Sequence, residues 1–183
     1  ALAAAALKHS HPTTLILGPV AIDFPSDARR IDVQTADEML RATLAEFPSH
    51  DLLILAAAVA DYRPKLARSD KISRHGALIL ECEATEDIAA AAGRAKLPHQ
   101  RTIGFSLEAD ANIERAIGRA KEKLLAKNLD LIVFNPPATI ASDKIEPVLI
   151  FPDGRNEPLP SASKSQFADI LLDRAIRLWK RDP

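Results

Sequence analysis

The segment AAAVAD, residues 56–61, places a carboxylate directly after an apolar run and three alanines. Small side chains at a strand end let a ligand approach the backbone closely, and Asp61 would then lie at the rim of a cleft. The same residues also suit a plain structural role, with the alanines fitting beneath a helix and Asp61 capping a turn. The segment therefore marks a candidate ligand site and leaves both interpretations open.

A basic segment follows ten residues beyond Asp61. Lys71-Ile72-Ser73-Arg74 lies within RPKLARSDKISRHG, a polar stretch that predicts a loop over the cleft. Two cations in such a flap suit the neutralisation of a triphosphate and the later release of product. Basic loops are also common on protein surfaces, so the residues fit a solvated loop as well.

Two further positions lie where strands are predicted to end. Thr85-Glu86-Asp87-Ile88 begins a helix, and free backbone N–H groups at a helix start can bind a phosphate or the polar edge of a base. Thr85 as an ordinary N-cap explains the same pattern. Gly104-Phe105 offers an aromatic face that suits either a nucleotide or core packing.

The helix predicted over residues 111–128 carries cations on a face of their own. Arg119, Lys123 and Lys127 recur every four residues and so share one side of the helix. They could meet phosphates, or form a solvated face that complements the helix dipole. The expected core stripe is Ile113, Ile117, Ala120 and Leu124.

The elements around these segments alternate between strand and helix. Short apolar runs such as DLLILAA at 51–57 and DLIVFN at 130–135 predict central parallel strands. The pattern favours a three-layer α/β/α fold, with a Rossmann-like, mostly parallel sheet and helices on both faces. Asp153-Gly154 predicts an appended C-terminal hairpin. Ligands in such sheets bind beyond the carboxyl ends of the strands, which selects the loops after Ala57, Glu83, Phe105 and Asn135.

Composition restricts the function classes. The 183 residues fit a single domain, and 24 basic against 25 acidic side chains give a formal net charge of -1. No overall positive field exists to attract nucleic acid or an anionic membrane, and no apolar run reaches the ~20 residues that span a bilayer. The single cysteine and five scattered histidines predict neither a disulfide nor a protein metal site, and we expect a cytoplasmic protein.

The order of these motifs resembles the phosphopantothenoylcysteine synthetase family, which includes the C-terminal domain of a bacterial bifunctional decarboxylase–synthetase flavoprotein. The resemblance covers nearly the whole chain, and the family's glycine-rich first loop would lie upstream of Ala1. We therefore expect residues 1–183 to form one synthetase-like domain that is incomplete at its N-terminus. The segments that carry the resemblance are AAAVADYR, KISR, TEDI, GFSLE, the lysine pair before LDLIVFN, and Ser142-Asp143.

The resemblance implies a ligase that activates 4′-phosphopantothenate as an acyl-nucleotide, from CTP or ATP, before L-cysteine displaces the nucleotide. It implies Mg²⁺ arriving with the nucleotide, a homodimer with composite sites, and a fused or separate decarboxylase domain. Ala57 and Ala58 correspond to acyl-substrate positions, and Lys71 to a catalytic one. The nucleotide-contacting positions it implies are Asp61, Lys71, Thr85, Glu86, Asp87, Ile88, Phe105, Lys123 and Lys127.

A different class also fits part of the pattern. A non-catalytic or flavin-binding α/β module, or a dinucleotide-dependent reductase, would share the alternating strands and helices. The chain has six glycines and no GxGxxG motif, which weakens the dinucleotide interpretation.

Overall fold

The computed structural model describes residues 1–66, 70–72, 76–107, 112–136 and 144–179. Ser73, Arg74, Glu108 and the pair Ser142-Asp143, which the motifs include, lie outside the described residues. The helices are α1 (Leu2–Lys8), α2 (Ala36–Glu46), α3 (Ile88–Ala95), α4 (Ile113–Ala126) and α5 (Lys164–Leu178), with a 3₁₀ turn at Phe47–Ser49. The strands are β1 (Thr14–Leu17), β2 (Arg29–Asp32), β3 (Leu52–Leu55), β4 (Tyr62–Pro64), β5 (Cys82–Ala84), β6 (Arg101–Leu107), β7 (Leu131–Asn135), β8 (Lys144–Ile145), β9 (Val148–Ile150), β10 (Asn156–Pro158) and β11 (Ala162–Ser163).

A five-stranded sheet in the order β10-β9-β7-β6-β3 forms the centre of the molecule. Strands β3, β6 and β7 are parallel, while β9 and β10 add to the edge in antiparallel fashion. The mostly parallel α/β fold expected from the sequence is confirmed. The hairpin at Asp153-Gly154 is present, and it extends the central sheet through β9 instead of standing apart from it.

Two smaller pairs flank this sheet. Strands β1 and β2 run parallel to each other, and β4 pairs antiparallel with β5. The loop after Glu83 was expected to follow a strand of the central sheet, but the strand here is only Cys82–Ala84, and it does not join that sheet. Its partner is the nearby β4, and we call the described residues of this region (62–66, 70–72 and 76–84) the arm. Leu66 and Ile79 of the arm are 82% and 87% exposed.

Helices cover both faces of the central sheet. Helices α1 and α5 pack on one face, where Leu171 and Phe167 meet Val133, and α4 packs on the other through Leu124. Ile113 was expected in the α4 core stripe but is 51% exposed. It is the first residue of the helix and precedes the turns that cross the sheet, where Ala116, Ala120 and Leu124 are buried. None of the described helices is both long and apolar enough to cross a membrane.

Side chains that accept backbone hydrogen bonds define where the helices begin. The Thr35 hydroxyl accepts from the Glu38 N–H at the start of α2, while the Glu38 carboxylate accepts from the N–H of Gln34. Helix α3 begins two residues later than predicted. Its N-cap is Asp87, which accepts from the Ala90 N–H at 3.0 Å, and not Thr85.

Gly93 allows α3 and the end of α4 to approach closely. A Cβ at residue 93 would lie 1.9 Å from the backbone oxygen of Lys127. The Asn128 side-chain amide donates to the Gly93 carbonyl at 2.8 Å, and Asn128 itself adopts a left-handed φ of 51°. The contact therefore fixes the position of Lys127 relative to α3.

Replacing Gly93 by alanine should lower the melting temperature. The added methyl must push one backbone segment away from another, and such overpacking costs about 1–3 kcal/mol or more. For a domain of this size we expect a loss of about 2–4 °C per kcal/mol, measured by differential scanning calorimetry.

Gly118→Ala is the matched control, because a Cβ at this position in α4 has no atom within 4 Å. It should leave the melting temperature unchanged or raise it, since alanine favours helix over glycine by about 1 kcal/mol. Equal melting temperatures for the two variants would contradict the close approach at Gly93.

Candidate functional site

A cleft of about 1480 Å³ opens at the carboxyl ends of the parallel strands and continues between β1 and β3. Its rim contains most of the site residues that the sequence predicted. The residues concerned are Ala57, Ala58, Asp61, Thr85, Glu86, Asp87, Ile88, Phe105, Lys123 and Lys127. Residues from four separate segments of the chain therefore meet at one place.

The base of the arm joins two of these segments. The Thr85 N–H donates to the Asp61 carbonyl at 2.9 Å, and the Thr85 hydroxyl donates to the Ala60 carbonyl at 2.6 Å. Asp61 immediately precedes β4 and Thr85 immediately follows β5, so the strand pair brings them together. The loop at residue 85 follows β5 of this arm. The sequence analysis expected it to follow a strand of the central sheet.

The start of α3 is held by an ion pair with the end of α4. Lys127 Nζ lies 2.8 Å from the Asp87 carboxylate, which also caps α3. Partial burial opposes the charge on Asp87, but the hydrogen bonds from Lys127 and the Ala90 N–H outweigh it and lower the pKa of this carboxyl. Two residues predicted to bind nucleotide thus bind each other in this structure.

Charge at the start of α3 disfavours a phosphate there. Asp87 already occupies an N–H group of the first turn, and Glu86 adds a second carboxylate. A phosphate at this helix end would meet like charges, whereas a base or ribose edge could accept from or donate to the turn. Ile88 is 7% exposed, so its side chain is buried and offers little surface to a ligand.

Phe105 has one side in the core and another on the cleft. Its ring packs edge-on against Phe167, with centroids 6.4 Å apart and an interplanar angle of 85°. The same residue lines the cleft beside Gly104. The two interpretations of Phe105 from the sequence, ligand contact and core packing, are therefore compatible.

Lys71 is exposed and is not among the residues that line the cleft. It lies in the connection between β4 and β5, well along the arm from Asp61 and Thr85. The structure therefore does not bring Lys71 together with the other predicted site residues, and its catalytic role stays a prediction.

Arg63 is a residue that the sequence analysis did not select. Its Nε donates to Glu83 at 2.8 Å across the β4–β5 pair, and its guanidinium also contacts Asp37 in the first turn of α2. These hydrogen bonds, the one to Glu83 first and then the one to Asp37, raise the pKa of Arg63 above its usual range. Arg63 thus connects the arm to α2. Its pairing with Glu83 could have been predicted from the sequence only if β4 and β5 had been recognised as paired strands.

No group of three or more potential metal ligands occurs in the part of the chain that the structure describes. At the rim formed by residues 57–61 and 85–88, the carboxylates that line the cleft are Asp61, Glu86 and Asp87. Of these, Asp87 is engaged by Lys127 and Glu86 lies 3.1 Å from Arg94.

Changing Asp87 should separate its two roles. Asp87→Asn keeps a good N-cap but loses the charge, so we expect about 0.5–1 kcal/mol less stability at pH 7. Asp87→Ala should lose about 1 kcal/mol more, because the cap is lost as well. Urea unfolding of both variants would measure these differences.

The stability contributed by ionised Asp87 should depend on pH. Because the folded protein lowers the pKa of Asp87, its ionised form stabilises the fold above the ordinary aspartate pKa of about 3.9. This contribution is lost as pH falls below that value through the folded pKa, so wild type and Asp87→Asn should converge in acid. A difference that stays constant from pH 7 to pH 3 would show that the ion pair contributes nothing.

Comparison with known proteins gives the family. The DNA/pantothenate metabolism flavoprotein C-terminal domain family matches residues 1–178. The chain is 36% identical over 187 residues to the coenzyme A biosynthesis bifunctional protein CoaBC of Bacillus subtilis (strain 168), which covers 99% of this chain and 45% of that protein. It is 44% identical over 137 residues to a cysteine/cysteine sulfinic acid decarboxylase of an unknown prokaryotic organism, covering 74% of this chain and 37% of that protein.

A solved structure agrees with the fold. The crystal structure of the C-terminal domain of CoaBC matches with a TM-score of 0.80 and 29% identity, over 99% of this chain and 81% of that one. The chain spans less than half the length of the two curated relatives. The resemblance seen in the motifs is confirmed, and this chain belongs to the family of the DNA/pantothenate metabolism flavoprotein C-terminal domain.

Proposed function

We propose that the chain is the synthetase part of a coenzyme A biosynthesis protein, and that it joins 4′-phosphopantothenate to L-cysteine using CTP or ATP. The observation that carries the proposal is the meeting of Asp61, the turn at residues 85–88, Phe105 and the two lysines at one cleft. Similarity to the CoaBC protein and to the C-terminal domain of CoaBC supports it.

The reaction proceeds in two steps. A carboxylate oxygen of 4′-phosphopantothenate attacks the α-phosphorus of the nucleotide and expels pyrophosphate, which leaves an acyl-nucleotide anhydride. The cysteine amine then attacks the acyl carbon, loses a proton and expels the nucleoside monophosphate. The attacking carboxylate is already ionised at pH 7, so the first step needs alignment and charge neutralisation more than a strong base.

The lysines of α4 supply positive charge at the cleft. Lys123 and Lys127 lie one turn apart and both line it, facing the segments at residues 57–61 and 85–88. Lys127 would exchange Asp87 for a nucleotide oxygen, while Lys123 would bind the phosphates. Lys71 of the arm would join them as the catalytic cation when the arm lies over the substrate.

Mg²⁺ would arrive with the nucleotide. This ion usually binds one or two protein carboxylates together with phosphate oxygens and water, so it needs no dedicated cage. The exposed carboxylate of Asp61 fits that requirement because it lines the cleft. Bound there, the ion would neutralise part of the triphosphate charge.

The arm is a candidate surface for a homodimer. Tyr62 is 67% exposed, Leu66 82% and Ile79 87%, so apolar side chains cluster on one projection. Contiguous exposed apolar side chains of this kind mark interaction sites. A two-fold dimer would cover them and could bring the arm of one subunit to the cleft of the other. A decarboxylase domain, fused or separate, is the further partner that we propose.

Pyrophosphate release should depend on the acid substrate. Incubated with CTP or ATP and Mg²⁺, the longer protein that contains this chain should release pyrophosphate only when 4′-phosphopantothenate is present, before any cysteine is added. A coupled pyrophosphatase assay measures this. Release that ignores the acid would show an unrelated nucleotide hydrolase.

Lys123→Ala should raise the KM for the nucleotide by about tenfold or more, because a hydrogen bond to a charged group contributes about 1.5–3 kcal/mol. Lys121→Ala is the matched control, since Lys121 is on the same helix but contacts Gly154 in the hairpin turn. Steady-state kinetics with each variant gives the comparison. Equal KM values for the two variants would remove Lys123 from the nucleotide site.

A further inference from the structure

Hydrogen bonds at its base join the two ends of the arm beside the cleft. Tyr62 pairs with Ala84, and the bond from the Thr85 N–H to the Asp61 carbonyl extends this pairing by one step. The Thr85 hydroxyl also donates to the Ala60 carbonyl. All of these bonds connect one end of the arm to the other. They close its base, but they do not determine its direction relative to the helices.

Arg63 makes the contact that connects the arm to a helix. Its guanidinium donates to Glu83 across the β4–β5 pair and also to the Asp37 carboxylate in the first turn of α2. The other hydrogen bonds that the structure describes for residues 62–66 and 76–84 stay within the arm. Arg63 therefore provides the polar link between the described part of the arm and α2.

The face of the arm that carries Arg63 lies beside the wall of the cleft. Arg63 and Glu83 are directly opposed in the strand pair, so their side chains project from the same face. Because Arg63 contacts Asp37, this face is the one next to α2. Helix α2 in turn contributes Met39 and Thr43 to the lining of the cleft. The direction of the arm relative to α2 is therefore also its direction relative to the cleft.

The geometry of this contact suits an arginine. A guanidinium presents its N–H donors in a planar fork and can bind two carboxylates at once, whereas the lysine ammonium is a compact point charge. The side chains of Arg63, Asp37 and Glu83 are between 42% and 47% exposed, so solvent and salt screen the charges. Such a contact adds little to the free energy of unfolding, but it can still select one direction of the arm.

We propose that Arg63 is a positioning residue: bound between Asp37 and Glu83, it sets the direction of the arm relative to α2 and so the position of Lys71 relative to the cleft. The part that concerns Lys71 rests on the proposed function, in which this lysine of the arm is the catalytic cation. Misplacement of a reacting group by about 1 Å can lower a rate by about a hundredfold. Loss of the Arg63 contact should therefore slow the reaction.

The groups that we propose to hold the nucleotide lie outside the arm. Phe105 belongs to β6, Lys123 to α4, and Lys127 directly follows that helix. A change in the direction of the arm leaves these groups in place. We therefore expect it to lower kcat and to leave the KM for the nucleotide nearly unchanged.

Distances between two spin labels test the direction of the arm without any need for activity. One label is attached to Cys82, the single cysteine of the chain, which is exposed on β5. The other is attached through Ala45→Cys, at an exposed position of α2. Dilution with unlabelled protein restricts the electron paramagnetic resonance measurement to distances within one chain. We expect Arg63→Ala to widen the distance distribution at least about twofold.

Arg41→Ala is the matched control, because Arg41 is another exposed arginine that donates to Asp37, but to its backbone carbonyl. It should keep the narrow distribution. Asp37→Ala should widen the distribution as Arg63→Ala does, and the double variant should widen it no further, because both changes remove the same contact. Equal distributions for Arg63→Ala and the otherwise unchanged labelled protein would overturn the proposal.

Kinetics of pyrophosphate release test the consequence for the reaction. Arg63→Ala should lower kcat about tenfold or more and change the KM for the nucleotide less than about twofold, with an unchanged melting temperature. Arg63→Lys should restore part of kcat, because the ammonium can bind one of the two carboxylates. A wider label distribution with an unchanged kcat would overturn the part that concerns Lys71. If the unchanged protein releases no pyrophosphate, the proposed function fails, while the label distances still decide whether Arg63 sets the direction of the arm.

Discussion

The parallel pairing of β3, β6 and β7 determines where every other part of the cleft can lie. Because these strands run in one direction, their carboxyl ends reach the same edge of the sheet, with residues 56–61 after β3 and Ser106-Leu107 at the end of β6. The side chains of β7 are buried on both faces, so this strand lies in the middle of the packed core. The edge where residues 56–61 and Ser106-Leu107 lie is therefore built on closely packed strands.

Helix packing then brings the cations to this edge. Gly93 lets the end of α4 reach α3, and the approach places Lys127 within 2.8 Å of Asp87. The ion pair holds the lysine at the cleft. In the function that we propose, a triphosphate that displaced Asp87 from Lys127 would leave this carboxylate without its cation, so part of the binding energy would be offset.

The sequence predicts the sheet and most of the cleft rim, because apolar runs and strand ends are local patterns. The same local reasoning misplaces the start of α3, where Thr85 and Asp87 are both capping residues and only tertiary contact selects Asp87. It does not reveal Arg63, whose partners Asp37 and Glu83 are brought near by the arm. The local pattern is also wrong for the arm. The apolar run at residues 77–80 predicts a central strand, yet Leu78, Ile79 and Leu80 are exposed.

The cleft continues inward between the edges of β1 and β3, and this inner part differs from the rim. The 1480 Å³ space includes the interval between β1 and β3, which is walled by strand edges. A nucleotide bound there would leave the N–H and C=O groups of both edges facing an aromatic base, whereas the outer part offers the side chains of Asp61, Phe105 and Lys123. The nucleotide site that we propose is therefore the outer part, and it is smaller than the whole cavity.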